Sequence, residues 1–257
     1  MINPADRPSA EGVCSRLLIC PGGLPQANIF ITAPMTQAVY SEGADVVLAM
    51  RETSDYVLQL TPGSWQMQQL AIPYQGERIC CMTVAGSEVF FASEDTNLVF
   101  SLQLPSLTSG HISPEPLPGK PLCIFPQHAT SGDTRIIVGM SSGRIAIFVP
   151  PNNGRKHLLE TKPIVTQVIN HPDADKTAIT CGVYHEGTVW CGCGRNIIGL
   201  DTKEYLLKHY KPVLKELTMV THLEGSYHRI WITFSNRSEV VLCDCFSANR
   251  VNTIDCQ

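Results

Sequence analysis

Arg135-Ile136-Ile137-Val138-Gly139-Met140-Ser141-Ser142-Gly143-Arg144-Ile145-Ala146-Ile147-Phe148-Val149 decides the fold. Three apolar residues run into the small Gly139. A polar turn containing Gly143 follows, and then a second apolar run. β-branched and aromatic residues on either side of a Ser/Gly turn read as a hairpin. The same design recurs along the chain. Asp45-Val46-Val47-Leu48-Ala49-Met50, Glu88-Val89-Phe90-Phe91-Ala92-Ser93, Thr188-Val189-Trp190-Cys191-Gly192-Cys193 and Arg229-Ile230-Trp231-Ile232-Thr233-Phe234 each place a small residue after three apolar ones. Measured from Val46, Val89, Ile136, Val189 and Ile230, the blocks are spaced by 43, 47, 53 and 41 residues.

A strand–turn–strand unit at a period of roughly 40–45 residues is the mark of a β-propeller blade. The sequence therefore predicts an all-β, WD40-like β-propeller. The small residues Ala49, Ala92, Gly139, Gly192 and Thr233 are expected where blades converge on a central channel and side chains must taper. Gly143 serves the turn, while Trp190 and Trp231 are the bulky members of their blocks. No Trp-Asp dipeptide is present, so the repeats are degenerate. The 222 residues from Thr36 to Gln257 hold about five such units. A seven-bladed ring would need roughly 300 residues. The expectation is thus an incomplete propeller over 36–257, after a linker over 21–35.

Composition agrees with this. Of 257 residues, 44% are hydrophobic and 16% charged, against roughly 25% charged in an average domain. Disorder is excluded. A net charge of −4 with no dominant basic run argues against generic nucleic-acid binding. The longest apolar runs, such as Val46–Met50, are far shorter than the ~20 residues of a transmembrane helix. The polar, turn-rich Met1–Pro8 does not read as a secretory signal. Eleven cysteines, an odd number, sit mostly in apolar runs. They read as reduced, buried thiols of a cytoplasmic protein.

The N-terminal twenty residues read differently. Ser9 is placed to cap a helix over Ala10–Leu18, with apolar residues at 10, 13, 14, 17 and 18. Asn3-Pro4-Ala5-Asp6-Arg7-Pro8-Ser9-Ala10 resembles the Pro-x-x-Arg-Pro turn that opens the last helix of a protein-kinase C-lobe. Arg7 and Pro8 match that motif. A kinase tail followed by a degenerate propeller resembles the order in leucine-rich-repeat kinases of the Roco family. Ile137–Phe148 and Val189–Ile198 resemble two of that family's blade hairpins. The resemblance implies that residues 1–20 close a truncated kinase domain. It implies a full-length Ser/Thr kinase acting on Rab-type GTPases, with a GTP-binding Roc domain. The propeller's implied partners are the kinase domain, a second propeller, small GTPases or the cytoskeleton, with location at membranes or cytoskeleton through the parent. ATP, Mg and GTP would belong to absent domains; none is expected in this chain. The Gly-rich loop, His-Arg-Asp and Asp-Phe-Gly are missing, so this chain is expected to be a non-catalytic scaffold.

Other chemistry is weakly signalled. Cys191-x-Cys193 and Cys243-x-Cys245 offer four thiolates, but alternate residues on strands of different repeats also arise from packing. Gly192-Cys193-Gly194 joins strand to strand and lacks the helix a dinucleotide needs. The eight histidines show no zinc-ligand spacing. His171-Pro172-Asp173-Ala174-Asp175 reads as a solvated loop, and the Pro-rich 105–121 as a mobile excursion and candidate partner contact. Two rivals remain: the propeller of another signalling protein, such as a Rho-type exchange factor, or a propeller enzyme with its site in the channel.

Overall fold

The computed structural model describes residues 35–256, apart from 36, 52–55, 63–65, 72–76, 105–107, 113–114, 129–133, 150–163, 170, 173–175 and 215–217. The helix expected over 10–18, together with Arg7 and Pro8, lies outside the described residues. What is described is all-β: five four-stranded antiparallel sheets. Sheet I holds β1 (Gln37–Ser41), β2 (Val46–Met50), β3 (Tyr56–Thr61) and β4 (Gln66–Ala71). Sheet II holds β5 (Ile79–Ala85), β6 (Glu88–Ser93), β7 (Val99–Gln103) and β8 (Thr108–Ile112). Sheet III holds β9 (Pro121–His128), β10 (Thr134–Met140), β11 (Ile145–Val149) and β12 (Ile164–Ile169). Sheet IV holds β13 (Ile179–His185), β14 (Thr188–Cys193), β15 (Asn196–Asp201) and β16 (Leu207–Pro212). Sheet V holds β17 (Val220–Ser226), β18 (Arg229–Phe234), β19 (Glu239–Asp244) and β20 (Arg250–Asp255). The excursion expected over 105–121 is thus partly a strand, β8.

Every sheet is a simple meander of neighbouring strands. The first strands, β1, β5, β9, β13 and β17, lie side by side. The apolar blocks read from the sequence are the second strands, and the hairpins they open run into the third. Two-residue turns set the first hairpins of sheets II, IV and V. Glu186 and Gly187 join β13 to β14 with φ of +47° and +70°, the left-handed pair that matches strand twist.

Between consecutive sheets lie four apolar seams. Val46, Leu48 and Met50 of sheet I meet Val89 and Phe91 of sheet II. Phe90 and Ala92 meet Ile136 and Val138 of sheet III. Ile137 meets Val189 and Cys191 of sheet IV. Trp190 meets Ile230 and Ile232 of sheet V. Alternation along each second strand thus feeds two seams at once.

At each of four places the first strand bulges as it begins. The pairing skips a residue at Ile79/Cys81, between the Gly139 and Met140 partners Cys123 and Pro121, at Ile179/Cys181 and at Val220/His222. The residue opposite the bulge is the small one: Ala92, Gly139, Gly192 or Thr233.

This explains the small residues differently from a tapering channel. A Cβ on Gly139 would lie 2.4 Å from Ile179 Cγ2, and one on Gly192 would lie 2.7 Å from Val220 Cγ1. The first residue of the next sheet occupies that space. At Gly139 and Gly192 smallness is required by the seam.

Ala49 is the exception. Sheet I turns through four residues, with Ser41 pairing Val46, whereas sheets II and IV turn through two. Counted from the turn, Met50 matches Ala92 and Gly192. Ala49 falls on the other face, half-buried, because a one-residue shift reverses every side chain. Gly139→Val is therefore expected to lower stability by about 1–3 kcal/mol through overpacking. Ala49→Val should change it by less than about 0.5 kcal/mol. Urea unfolding of both variants checks this; equal losses would restore Ala49 to the seam.

Candidate functional site

The bulges place hydroxyl and thiol side chains at the joints between sheets. In the bulge of sheet IV, Thr180 Oγ1 donates to the Val220 carbonyl at 2.6 Å, tying sheet IV to sheet V. Cys80 stands at the same place in sheet II. Its Sγ donates to the carbonyls of Pro121 and Ala92, both at 3.3 Å. Its sulfur is also 3.9 Å from Cys81 Sγ, since the bulge brings two successive side chains together. The Cys81 thiol lowers the pKa of Cys80, and that same bond together with burial holds Cys81 well above the ordinary thiol range. Burial raises Cys123 and Cys191, takes Cys181 to about 12 and takes Cys243 to about 11. These groups stay protonated thiols at neutral pH. All nine described cysteines are free. Cys191 and Cys193 pack in the seam between sheets III and IV, and Cys243 and Cys245 in that between IV and V. Among the described residues no three His, Cys, Asp or Glu are grouped to hold a metal.

Since Thr180 does with oxygen what Cys80 does with sulfur, Cys80→Thr should leave stability within about 0.5 kcal/mol of the parent. Cys80→Val removes the donor and should cost about 1 kcal/mol. Chemical unfolding of the pair reads the difference.

A second repeated device closes the third strands. Asp201 Oδ1 accepts from the backbone N–H of Lys203 and Glu204, both at 2.9 Å. Asp244 Oδ1 accepts from those of Phe246 and Ser247, at 3.1 and 2.9 Å. Four residues on, Tyr205 and Ala248 are left-handed, with φ of +55° and +56°. The repeated aspartate, at a separation of 43 residues, is the signal that a search confined to apolar blocks misses. The N–H donors to each carboxylate, Glu204's foremost for Asp201 and Ser247's for Asp244, lower both pKa values. A lowered folded pKa stabilises the protein above the unfolded value of ~3.9 and is lost as pH falls through the folded one. Asp201→Asn with Asp244→Asn should therefore lower stability at pH 7 and flatten its decline below about pH 4. Melting curves across that range decide it.

Sheet V presents an uncovered face. Trp231 occupies in β18 the register position of Trp190 in β14. Trp190 is 0% exposed, sealed by sheet V and stacked on His209 with ring centroids 5.3 Å apart. Trp231 is 36% exposed, and Ile254 on the same face is 38% exposed. Thr233 beside them is half-buried, its Oγ1 3.1 Å from Thr221 Oγ1.

Gly143, in the β10–β11 turn, has φ of +76°, which a larger residue would adopt only with strain. Its carbonyl contacts His171 Nε2 at 2.5 Å. Tyr205 locks sheets III and IV together. Its hydroxyl donates to Gln127 Oε1 at 2.6 Å and accepts from Arg135 at 2.7 Å.

A groove of about 690 Å³ runs between sheets IV and V on the side away from Trp231. Its apolar wall is Pro212, Val213 and Leu214, and its charged lining is Arg195, Arg237, Arg250 and Glu239. Arg195 sits in the β14–β15 turn and Arg237 follows the corresponding β18–β19 turn. Arg237 Nη1 reaches Glu239 at 3.4 Å.

No protein-family model matches the chain, and no curated protein matches its sequence. Solved structures match in number, 1178 chains. One is a chain of the crystal structure of the Mitotic Checkpoint Complex, with a TM-score of 0.66 and 13% identity. The match covers 85% of this chain and 63% of that one. The fold is that of a WD40-like β-propeller. At 13% identity the likeness carries the fold and nothing finer. The Roco resemblance therefore rests on sequence alone.

Proposed function

We propose that this chain is a protein-interaction scaffold, the propeller portion of a larger signalling protein. The observation that carries it is the pair Trp190 and Trp231. The same residue at the same register is sealed by a neighbouring sheet in one case and open in the other. An exposed indole flanked by apolar side chains is the usual anchor of a protein interface. The occupant this face fits is another four-stranded sheet, since that is what covers its counterpart in sheet IV. A propeller built as a non-enzymatic domain is consistent with this reading, and among the described residues no helix is long and apolar enough to cross a membrane.

The finer reading is a C-terminal region of a Roco-type leucine-rich-repeat kinase. Its support is the kinase-like turn at 3–10 and the two blade-like hairpins at 137–148 and 189–198. The upstream coding sequence tests it: His-Arg-Asp and Asp-Phe-Gly are expected there, and a helical exchange-factor bundle would replace it with the Rho-type reading.

Binding of the purified chain to a kinase domain, to small GTPases and to tubulin tests the scaffold role. At least one is expected to bind, and Trp231→Glu should weaken that binding about tenfold or more while leaving the melting temperature unchanged. An unchanged affinity would remove Trp231 from the interface.

A further inference from the structure

We infer that Cys80 and Cys81 are a paired dithiol that a peroxide oxidises to a disulfide, and that this oxidation releases the joint between sheets II and III. The site stands apart from the scaffold reading and does not depend on it. Successive side chains of a regular strand point to opposite faces, so neighbouring cysteines do not ordinarily meet. The bulge that opens β5 removes that alternation, and the two sulfurs stand 3.9 Å apart. Sheet IV supplies a comparison within the same fold. Its bulge carries Thr180 and Cys181 in the same order, with Oγ1 and Sγ 4.0 Å apart. Thr180 donates to the carbonyl of Val220, the leading residue of β17, as Cys80 donates to that of Pro121, the leading residue of β9. An oxygen therefore suffices to tie one sheet to the next. Sulfur in its place adds what oxygen lacks, a bond that it can make with the thiol beside it.

Cys80 is the member that reacts first. It is half-buried, whereas Cys81 is 3% exposed. The hydrogen bond from Cys81 lowers the pKa of Cys80 and raises that of Cys81, so the attacking thiolate forms on Cys80. Cys80 gives up its proton, and its sulfur attacks one oxygen of the peroxide. An S–O bond forms, the O–O bond breaks, and the leaving hydroxide takes up the proton as water. Cys81 Sγ then displaces the hydroxyl from the Cys80 sulfenic acid. An S–S bond forms, the S–O bond breaks, and the hydroxyl leaves as water with the proton of Cys81. The two sulfurs have lost two electrons, and hydrogen peroxide has gained them. Neighbouring Cα atoms lie about 3.8 Å apart, nearer than the roughly 4.4–6.8 Å of ordinary disulfides. The bond is therefore strained, and a dithiol reductant returns it to thiols. Oxidised Cys80 has no S–H to donate. The carbonyls of Ala92 and Pro121 lose it as a donor, and the tie from sheet II to sheet III goes with it.

Peptide mass spectrometry of the full chain, reduced and then exposed to hydrogen peroxide, tests this. Free thiols are capped with iodoacetamide before digestion. The peptide carrying Cys80 and Cys81 should escape capping and weigh less by two hydrogens, and a dithiol reductant should restore capping. Cys256 is exposed and measures mere accessibility. Cys80 should be consumed several-fold faster than Cys256. Cys81→Ala removes the resolving thiol, so a 1,3-dione should trap the sulfenic acid on Cys80. Cys80→Thr keeps the tie to Pro121 in the manner of Thr180. It should match the reduced parent in stability and lose the response to peroxide. The melting temperature of the parent should fall by about 2–4 °C on oxidation, the effect of one lost hydrogen bond in a chain of this size, and recover on reduction. Full capping of both cysteines after peroxide, or a first disulfide to any other cysteine, would overturn the inference. So would an unchanged melting temperature of the oxidised parent, or an equal fall in Cys80→Thr.

Discussion

The structure depends on one steric condition. Where one sheet's first strand begins, its leading residue must enter the second strand of the sheet before it. Ile179 enters at Gly139 and Val220 at Gly192, and no Cβ fits between them. The condition is met by omission: a missing side chain on one strand and a bulge on the other. The bulge turns its side chain across the seam, where Thr180 and Cys80 find a carbonyl. Packing and hydrogen bonding between sheets thus follow from the same extra residue.

How much of this could be read from the sequence depends on which strand carries the signal. The second strands of sheets II and IV are buried on both faces, so they read as unbroken apolar runs, Glu88–Ser93 and Thr188–Cys193. First strands mix apolar, polar and small residues, as in Ile179-Thr180-Cys181-Gly182, because one face contacts a neighbour's backbone. Gly182 has no room for a Cβ, which would sit 2.1 Å from the Phe125 ring. Such strands carry no periodicity to find. The register of Ala49 was illegible for another reason. Only the turn length sets it, and local composition does not reveal whether Glu42–Asp45 makes four turn residues or two. The groove was hidden because Arg195, Arg237 and Arg250 lie apart in sequence and meet only through pairing of the sheets.

Among the described residues, sheets II, III and IV are each held by two seams, and sheets I and V by one. Stability in such a stack is close to a sum of neighbour terms. Sheet V keeps exposed apolar side chains, with Val251 51% and Trp231 36% exposed. The fold by itself does not fix a function; that rests on the side chains its surfaces carry.

The Trp190–His209 stack has an optical consequence. An indole sealed at 0% exposure emits at shorter wavelength than one in contact with water, so Trp190 is expected to emit to the blue of the 36%-exposed Trp231. Burial and the charges of Lys208 and Lys211 lower the pKa of His209, which keeps its ring neutral against the indole. A protonated imidazole quenches indole fluorescence on contact. Separation of sheets IV and V would wet Trp190 and remove the burial that lowers the His209 pKa. The molecule thus carries an intrinsic spectroscopic gauge at a single seam, requiring no added label.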